Sequence, residues 1–378
     1  MAVRVLLAED SSFQRKIIGD MLSEESTIEL VGSARNGEEA IEMVDSLNPD
    51  VLILDLVMPK VDGITAFKKI MKLHPIPVIF FSVLDPATMD NSVQGLLLGA
   101  VDFIVKPGGV WKEEFPKFRE TLIKKIQTAA KSQIKNLPKI LDVDDAVNLD
   151  HESIEGQKKK VISSTKKLLP SIKKTNVSFI PFENVRIETN IVVIGASVGG
   201  PSTIRKILTQ IPEDFPAPIM VVQHINAEFA NVFADALNTV CHLRVKVGED
   251  GEYILPGTIY IAPGHKHMEI SVKDRYPCVK TFTGELVNFC IPSIDVLFLS
   301  APRVYRNNVL GVLLTGMGND GVDGLELIQK TGGQTVAESK ETCILYGMPK
   351  IADERGVADR IVPNYEIHKN IIEFARKL

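Results

Sequence analysis

Apolar runs alternate with amphipathic stretches along the first part of the chain. The apolar runs occupy residues 3–8, 28–31, 51–54, 78–81 and 101–105. Stretches with apolar residues at helical spacing follow them at 13–22, 38–47, 64–73, 89–98 and 113–130. Runs of this length predict buried strands, and the spacing between them predicts amphipathic helices. Because crossover connections are right-handed, this succession predicts a doubly wound parallel sheet with helices on both faces.

The alternation is lost over residues 131–188. An acidic segment at 142–155 precedes lysine clusters at 158–160, 166–167 and 173–174, and aliphatic residues are sparse. Such a composition buries too little apolar surface to offset the entropy of ordering the chain. We therefore predict a flexible linker between domains at 1–130 and 189–378. The lysines could also bind nucleic acid or a membrane surface, but the net charge of −5 gives no support for nucleic-acid binding by the whole chain.

After Asn190 the α/β pattern resumes and continues to the end of the sequence. Apolar runs at 191–194, 218–222 and 309–314 predict buried parallel strands. Residues 241–269 contain short apolar stretches broken by glycine and proline, which predict β-hairpins. We expect a second, Rossmann-like doubly wound α/β domain with a β-hairpin insertion.

Composition agrees with two soluble globular domains. The chain has 378 residues, of which 45% are apolar and 24% charged. Its apolar runs fall short of the roughly 20 residues that span a bilayer, and its first residues lack a signal-peptide pattern. The cysteines are scattered and indicate free thiols in a reducing cytoplasm (Cys241, Cys278, Cys290 and Cys343). We therefore expect a cytoplasmic protein that does not insert into membranes.

Polar side chains follow the predicted strands of the first domain. Glu9 and Asp10 come after the first strand, and Asp55 ends the third. Carboxylates at adjoining strand ends repel one another unless they bind a hard cation such as Mg²⁺. Ser82 and Lys106, after the fourth and fifth strands, would hydrogen-bond and neutralise a phosphoryl group on Asp55. Helix capping explains any one of these acidic residues but does not account for the whole set.

This arrangement resembles the receiver domain of two-component response regulators over residues 1–125. The motifs are Glu9-Asp10, Asp55 with Met58-Pro59 and Asp62-Gly63, Ser82, and Lys106-Pro107. The resemblance implies a flavodoxin-like (βα)5 fold and phosphorylation of Asp55 by a histidine kinase. It also implies a Mg²⁺ site with the backbone carbonyl of Val57 as a further ligand, and places Phe103 at the family's switch aromatic position. Phe103 lacks the hydroxyl that many receivers carry there, so a tyrosine-type hydrogen bond is not available.

Two glycine-rich turns follow buried strands of the second domain. The turn at 195–200 satisfies the G-x-S-x-G pattern and places Ser197 at the start of a helix, where backbone N–H groups stabilise negative charge. The turn at 315–321 carries Asp320, and His224 ends a strand between the two turns in sequence. A serine, a histidine and a carboxylate are the groups that a serine hydrolase needs.

The turn at Ser197 has a competing interpretation as a mononucleotide-binding loop. Against it, no Walker-type lysine follows Gly200, and the next strand does not end in an acidic residue that would hold a ribose. Asp295 and Asp323 compete with Asp320 for the carboxylate position. We favour Asp320 because it lies in a glycine turn after a buried strand, whereas Asp295 lies in the first turn of a helix.

Residues 190–378 resemble the catalytic domain of the chemotaxis response-regulator protein-glutamate methylesterases. The motifs are IGASVGG at 194–200, QH at 223–224, YIAPGH at 260–265, PSID at 292–295, LTGMGNDG at 314–321 and YGMP at 346–349. The resemblance implies Ser197 as nucleophile, His224 as base, Asp320 as the carboxylate that orients the histidine, and the Met317 N–H as an oxyanion donor. Val198 stands where many relatives have threonine, so a hydroxyl contact near the histidine is lost.

The resemblance also implies a substrate and a mode of control. The substrate would be a γ-glutamyl methyl ester on the cytoplasmic domain of a chemoreceptor, with deamidation of receptor glutamines as a second reaction and no cofactor for the esterase. An unphosphorylated receiver would cover the catalytic face until Asp55 is phosphorylated. The rival hypothesis is a non-enzymatic signalling adaptor, a receiver joined to a nucleotide-binding module, which would tolerate the Ser197→Ala substitution.

Overall fold

A computed structural model describes residues 2–83, 85–107, 111–134 and 181–377. In the first of its two α/β units, five parallel strands lie in the order β2-β1-β3-β4-β5. The strands are β1 (Val3–Ala8), β2 (Ile28–Ala34), β3 (Val51–Asp55), β4 (Val78–Ser82) and β5 (Asp102–Val105). The helices are α1 (Ser12–Ser23), α2 (Gly37–Leu47), α3 (Gly63–Leu73), α4 (Pro86–Leu97) and α5 (Trp111–Ala129). The predicted doubly wound sheet is confirmed.

Local sequence signals explain these elements. Every residue of β3 and β4 is buried, as expected for central strands covered by helices on both faces. Helix α3 begins where Asp62 accepts a hydrogen bond from the Thr65 N–H at 2.9 Å, and Asn36 caps α2 in the same way through the Glu39 N–H. The caps fix where the chain leaves each strand end, and so fix the positions of the acidic side chains there.

The second unit contains a sheet of seven parallel strands in the order β14-β13-β12-β6-β7-β9-β8. The strands are β6 (Ile191–Ala196), β7 (Ile219–Gln223), β8 (Arg244–Val247), β9 (Thr258–Ile261), β12 (Val309–Leu313), β13 (Gln334–Glu338) and β14 (Arg360–Val362). The helices are α6 (Gly200–Leu208), α7 (Ala227–Asn238), α8 (Ile294–Tyr305), α9 (Val322–Lys330), α10 (Met348–Glu354) and α11 (Asn364–Ala375). Two apolar cores lie on the two faces of this sheet, as predicted for a Rossmann-like unit.

The hairpins expected over residues 241–269 are wrong for that stretch. Strands β8 and β9 pair in parallel within the main sheet, and residues 248–257 connect them, a longer segment than the roughly 2–5 residues of a hairpin loop. The hairpin instead joins β10 (His267–Lys273) to β11 (Tyr276–Phe282). Its turn residues Asp274 and Arg275 both have positive φ, 50° and 71°, without the glycine that usually marks such a turn.

The two α/β units contact each other at the carboxyl ends of the seven-stranded sheet. Helix α4 packs against α6 and α7. The ring of Phe103 in β5 stacks on Phe229 in α7, with ring centroids 4.0 Å apart. After α5, the Gln133 N–H donates to the Ile344 carbonyl at 2.8 Å. The first unit therefore borders the helices that follow β6 and β7 and the loop that follows β13.

Three further expectations concern the rest of the chain. Most of the predicted linker, residues 135–180, lies outside the described residues. The four cysteines are free thiols, as predicted. Within the described ranges, none of the helices combines the length and apolar character required to cross a membrane.

Candidate active site and acidic pocket

Three neighbouring strands bring the candidate catalytic residues to one edge of the second sheet. Ser197 follows β6, Asp320 lies after β12, and His224 follows β7. Strand β6 pairs in parallel with β12 on one side and β7 on the other. Loops after the carboxyl ends of adjacent parallel strands meet at the same crevice, which is where open α/β sheets place their sites.

The turn after β6 leaves Ser197 partly exposed while hydrogen bonds hold both its backbone N–H and its carbonyl. The Ser197 N–H donates to the Thr315 carbonyl at 3.0 Å, and its carbonyl accepts from Gln223 Nε2 at 2.9 Å. Gly199 has a φ of 75°, and a Cβ there would lie 2.5 Å from the Ile344 Cβ, so only glycine fits this sharp turn. The Ser197 hydroxyl itself forms no hydrogen bond with any residue that the structure describes.

His224 is hydrogen-bonded through one ring nitrogen to Asp320. Its Nε2 lies 2.8 Å from Asp320 Oδ2, and its Nδ1 lies 3.6 Å from Cys290 Sγ. Burial alone would lower the pKa of His224, but the hydrogen bonds with Asp320 and Cys290 outweigh it and raise that pKa to about 9. Because Nε2 donates to the carboxylate, Nδ1 is the nitrogen left to accept a proton.

Asp320 is almost fully buried and is held by the start of α8. Its Oδ1 accepts from Ser293 Oγ at 2.7 Å and from Asn288 Nδ2 at 3.0 Å, and its Oδ2 accepts from the Ile294 N–H at 2.7 Å. Burial favours the neutral acid, yet these bonds and His224 together lower the pKa of Asp320. The carboxylate therefore stays ionised beside the histidine.

The two competing carboxylates occupy other positions. Asp295 accepts from the Gly324 N–H at 2.7 Å, and burial together with the nearby Asp320 raises its pKa to about 7. Asp323 forms an ion pair with Arg355 on the surface, 2.6 Å apart. Of the three candidates, Asp320 is the one that hydrogen-bonds His224.

Met317 lies at the mouth of the site with its side chain partly exposed. Its backbone N–H has no hydrogen-bond partner in the described part of the chain, so it is free to donate to a ligand. Its sulfur accepts a hydrogen bond from the Thr128 hydroxyl of α5 at 3.4 Å. On the opposite side, the Gly199 N–H donates to the Val101 carbonyl at 3.3 Å. Both contacts come from the first α/β unit.

A buried carboxylate that we did not predict supports the second glycine turn. Glu338, at the end of β13, accepts from the Thr315 N–H at 2.9 Å and from the Thr342 hydroxyl at 3.0 Å. Burial raises its pKa against the effect of these bonds. The Thr315 hydroxyl in turn donates to the Val198 carbonyl at 3.0 Å. Glu338 thereby links the two glycine turns, although it is remote from the reacting groups in sequence.

Gly316→Ala tests how closely the two turns are fitted. A Cβ at residue 316 would lie 2.6 Å from the Ser197 Cβ, a distance that real atoms do not tolerate. In an enzyme, displacing a reacting group by about 1 Å costs on the order of 100-fold in rate, and Ser197 is the candidate for that group. We expect a loss of that size in kcat, measured in an ester-hydrolysis assay, with retained secondary structure by circular dichroism. Gly19→Ala in α1, where the added Cβ would meet only Leu30 Cδ2 at an ordinary contact distance of 3.4 Å, should keep the wild-type rate.

The first unit carries the predicted acidic pocket. Carboxylate oxygens of Glu9, Asp10 and Asp55 lie within 4.8 Å of one another. Lys106 Nζ lies 2.7 Å from Asp55 Oδ2 and 2.8 Å from Glu9 Oε2. Burial raises the pKa of both Glu9 and Asp55, and Lys106 opposes that shift. The clustered oxygen donors, of which Glu9 and Asp55 are buried and Asp10 is exposed, fit a hard divalent cation such as Mg²⁺.

The other residues predicted for this pocket are Ser82, Val57 and Phe103, and each makes a different kind of contact. The Ser82 hydroxyl donates to the Val83 carbonyl at 3.2 Å instead of to a carboxylate. The Val57 N–H donates to Asp55 Oδ1 at 3.2 Å, and its side chain is exposed. Phe103 faces the second unit through its stack on Phe229.

Comparison with known proteins adds to this geometry. The protein-glutamate methylesterase/protein-glutamine glutaminase of Halalkalibacterium halodurans is 37% identical over 360 residues, covering 95% of this chain and 94% of that protein. The chain belongs to the protein-glutamate methylesterase/protein-glutamine glutaminase family. Another member, from Caldanaerobacter subterraneus subsp. tengcongensis, is 37% identical over 384 residues, covering 99% of this chain and 98% of its own length. This membership makes the chain an enzyme and confirms the resemblance based on its motifs.

Two family models match consecutive parts of the chain. The response regulator receiver domain matches residues 5–112, and the CheB methylesterase matches residues 192–371. Among solved structures, the Thermotoga maritima CheB methylesterase catalytic domain is 39% identical. It covers 50% of this chain and 99% of its own, with a TM-score of 0.49. The two family models match in the expected order, with the receiver domain before the methylesterase domain.

Proposed function

We propose that the chain hydrolyses γ-glutamyl methyl esters on the cytoplasmic domain of chemoreceptors, and deamidates receptor glutamines, through Ser197, His224 and Asp320. The observation that carries the proposal is the partly buried His224–Asp320 hydrogen bond at the sheet edge where the partly exposed Ser197 has an unbonded hydroxyl. The relatives are named protein-glutamate methylesterase/protein-glutamine glutaminase, and these names support the choice of substrate. The esterase needs no cofactor in this scheme.

Each step follows from the donors and acceptors of the site. His224 Nδ1 accepts the Ser197 proton as the serine oxygen attacks the ester carbonyl, and the Met317 N–H donates to the developing oxyanion. Asp320 stabilises the imidazolium that forms. The imidazolium then protonates the departing methoxide, and methanol leaves an acyl-serine. Water, deprotonated by His224, releases glutamate and restores the serine. With a glutamine substrate the leaving group is ammonia, and the slower reaction follows from the lower reactivity of amides.

We assign the domains as a receiver at 1–130, a linker at 131–188 and a catalytic domain at 189–378. In the receiver, Asp55 would accept a phosphoryl group from a histidine kinase. Glu9, Asp10, Asp55 and the Val57 carbonyl would hold Mg²⁺, which neutralises phosphoryl charge when bound. Lys106 already contacts the Asp55 carboxylate and would ion-pair with the phosphoryl group. Ser82 would have to exchange its bond to a backbone carbonyl for one to a phosphoryl oxygen.

Control by phosphorylation would act through the contact between the units. The receiver touches both sides of the site, at Gly199 through Val101 and at Met317 through Thr128. These contacts narrow access to Ser197 for a protein substrate. Because Phe103 in β5 stacks on Phe229, a rearrangement at the nearby phosphoryl site would reach the interface directly. Phosphorylation would then loosen the interface and expose the site.

Methanol release from a methylated receptor fragment tests the proposed function. The full-length protein should release methanol in proportion to the methyl esters present and without added nucleotide. The rival adaptor hypothesis predicts nucleotide binding by calorimetry and no methanol release. Nucleotide binding without methanol release would contradict the esterase proposal.

Asp55→Asn tests the control. A small-molecule phosphodonor with Mg²⁺ should raise wild-type methanol release by about 5- to 150-fold, the usual range of coupling between two sites. The Asp55→Asn protein should show the basal rate with or without the donor. The matched control Asp20→Asn changes an exposed carboxylate of α1 and should keep the full stimulation. Stimulation that persists in Asp55→Asn would contradict phosphorylation at this residue.

A further inference from the structure

A thiol faces the ring nitrogen of His224 that Asp320 does not use. Cys290 Sγ lies 3.6 Å from His224 Nδ1 and 3.4 Å from the Asn288 carbonyl. The cysteine is partly exposed and follows Phe289, whose side chain is 81% exposed, so the thiol is reachable from solvent. The sequence pattern does not distinguish Cys290 from the other three scattered cysteines, because 66 residues separate it from His224 along the chain.

The distances match those of a metal-binding pair. With Zn–S and Zn–N bonds of about 2.3 Å and 2.0–2.1 Å, a tetrahedral angle places sulfur and nitrogen about 3.6 Å apart. The pair His224 Nδ1 and Cys290 Sγ already has this separation. The opposite ring nitrogen is bonded to Asp320, the usual carboxylate support of a metal-bound histidine. One ligand atom from each of the three side chains lies within 4.8 Å of the others.

We propose that His224 Nδ1 and Cys290 Sγ form a binding site for a thiophilic divalent cation of the Zn²⁺ class, and that the bound cation inhibits the esterase. On binding, the thiol releases its proton to solvent, and the thiolate and the imidazole each donate an electron pair to the cation. No redox change is involved. The inhibitory part rests on the proposed function, since the cation occupies the lone pair with which His224 would accept the Ser197 proton.

The two candidate cation sites found among the described residues should differ in the metal that they prefer. The acidic pocket offers oxygen ligands, which suit Mg²⁺, whereas sulfur and imidazole nitrogen suit Zn²⁺. Millimolar Mg²⁺ should therefore fill the receiver site without inhibiting hydrolysis. With only two protein ligands, the His224–Cys290 site leaves positions open to water and would bind reversibly.

Cobalt spectroscopy on the full-length protein tests binding independently of activity. With Mg²⁺ in excess to fill the acidic pocket, added Co²⁺ should produce a thiolate-to-cobalt charge-transfer band in the near ultraviolet, and Zn²⁺ should abolish it. Cys290→Ala should lose the band. The control Cys278→Ala, which removes a buried thiol of β11, should retain it. Absence of the band in the wild type, or its persistence in Cys290→Ala, would overturn the proposal.

Methanol release tests the inhibitory consequence. The Zn²⁺ concentration for half-inhibition should rise at least about tenfold in Cys290→Ala, since even partners outside the metal ligands change affinity by about 10- to 100-fold. Each variant is compared with its own rate without metal, and Cys290→Ser provides a second variant of nearly unchanged volume. Equal inhibition of the wild type and both variants would overturn the proposal. A cobalt band without inhibition would establish the site and instead count against His224 as the catalytic base.

Discussion

Replacing Ser197 with alanine is expected to reduce methanol release from a methylated receptor by about a million-fold, the cost of losing the nucleophile in a serine hydrolase. The proposed acyl intermediate cannot form without the Ser197 oxygen. The remaining hydrogen-bond donors leave only a small residual rate. The measurement is initial methanol release under saturating receptor. Circular dichroism and thermal unfolding should match the wild type, because the Ser197 hydroxyl forms no hydrogen bond with the described residues.

Two further variants make this result specific. Ser271→Ala, in β10 of the hairpin, removes a serine hydroxyl away from the site and should leave the rate unchanged. Cys290 is the other candidate nucleophile, because its sulfur faces His224 Nδ1. If Ser197→Ala kept its activity and Cys290→Ala lost it, the nucleophile would be Cys290 and the role proposed for Ser197 would be wrong.

If Asp320 has its proposed role, Asp320→Asn should lower kcat by about ten-thousandfold, as loss of the orienting carboxylate does in a serine protease. An asparagine carbonyl can accept from Nε2–H, but the amide carries no charge to stabilise the imidazolium. The buried donors Ser293 and Ile294 would also face an amide nitrogen or lose a charged acceptor. We expect the lost charge and the altered hydrogen bonds to lower kcat with little change in KM.

The same variant should move the pH dependence. His224 must be neutral to act as a base, so kcat/KM should rise with pH through the pKa of His224, which its partners raise to about 9. Asp320 stabilises the charged ring, so removing the carboxylate lowers that pKa and shifts the midpoint to lower pH. Asp323→Asn, which removes an exposed carboxylate on α9, should leave both midpoint and rate unchanged. If the midpoint does not shift in Asp320→Asn, the Asp320 carboxylate does not set the pKa of His224.

Much of the fold could be predicted because hydrophobic periodicity reports burial. The strands of the first sheet lie within a few residues of their predicted positions, and their ends gather Glu9, Asp10 and Asp55 as expected. The hairpin position was missed because its turn uses Asp274 and Arg275 at positive φ without glycine. Parallel pairing of β8 and β9 depends on tertiary contacts that local turn signals do not encode.

The site could be predicted only as far as strand ends define it. Ser197, His224 and Asp320 follow adjacent strands, so topology alone brings them to one edge, although their catalytic roles stay predictions. Cys290 lies on the connection between β11 and α8. The periodicity of hydrophobic residues does not predict the path of such a connection. Glu338 did carry a usable signal, an acidic residue ending a buried strand next to β12. Its function could not be read from that signal, since it stabilises backbone instead of facing a ligand.

The order of the two units along the chain has a consequence for biosynthesis. The five-stranded sheet ends at Val105, whereas β6 begins at Ile191 and the site is incomplete until Asp320 has been made. Domains fold from the amino terminus during translation. Each newly made molecule therefore has its first unit folded before the crevice exists, and that unit is in place to contact the Gly199 turn as the turn forms. The second unit therefore completes its fold in the presence of a first unit that is already folded.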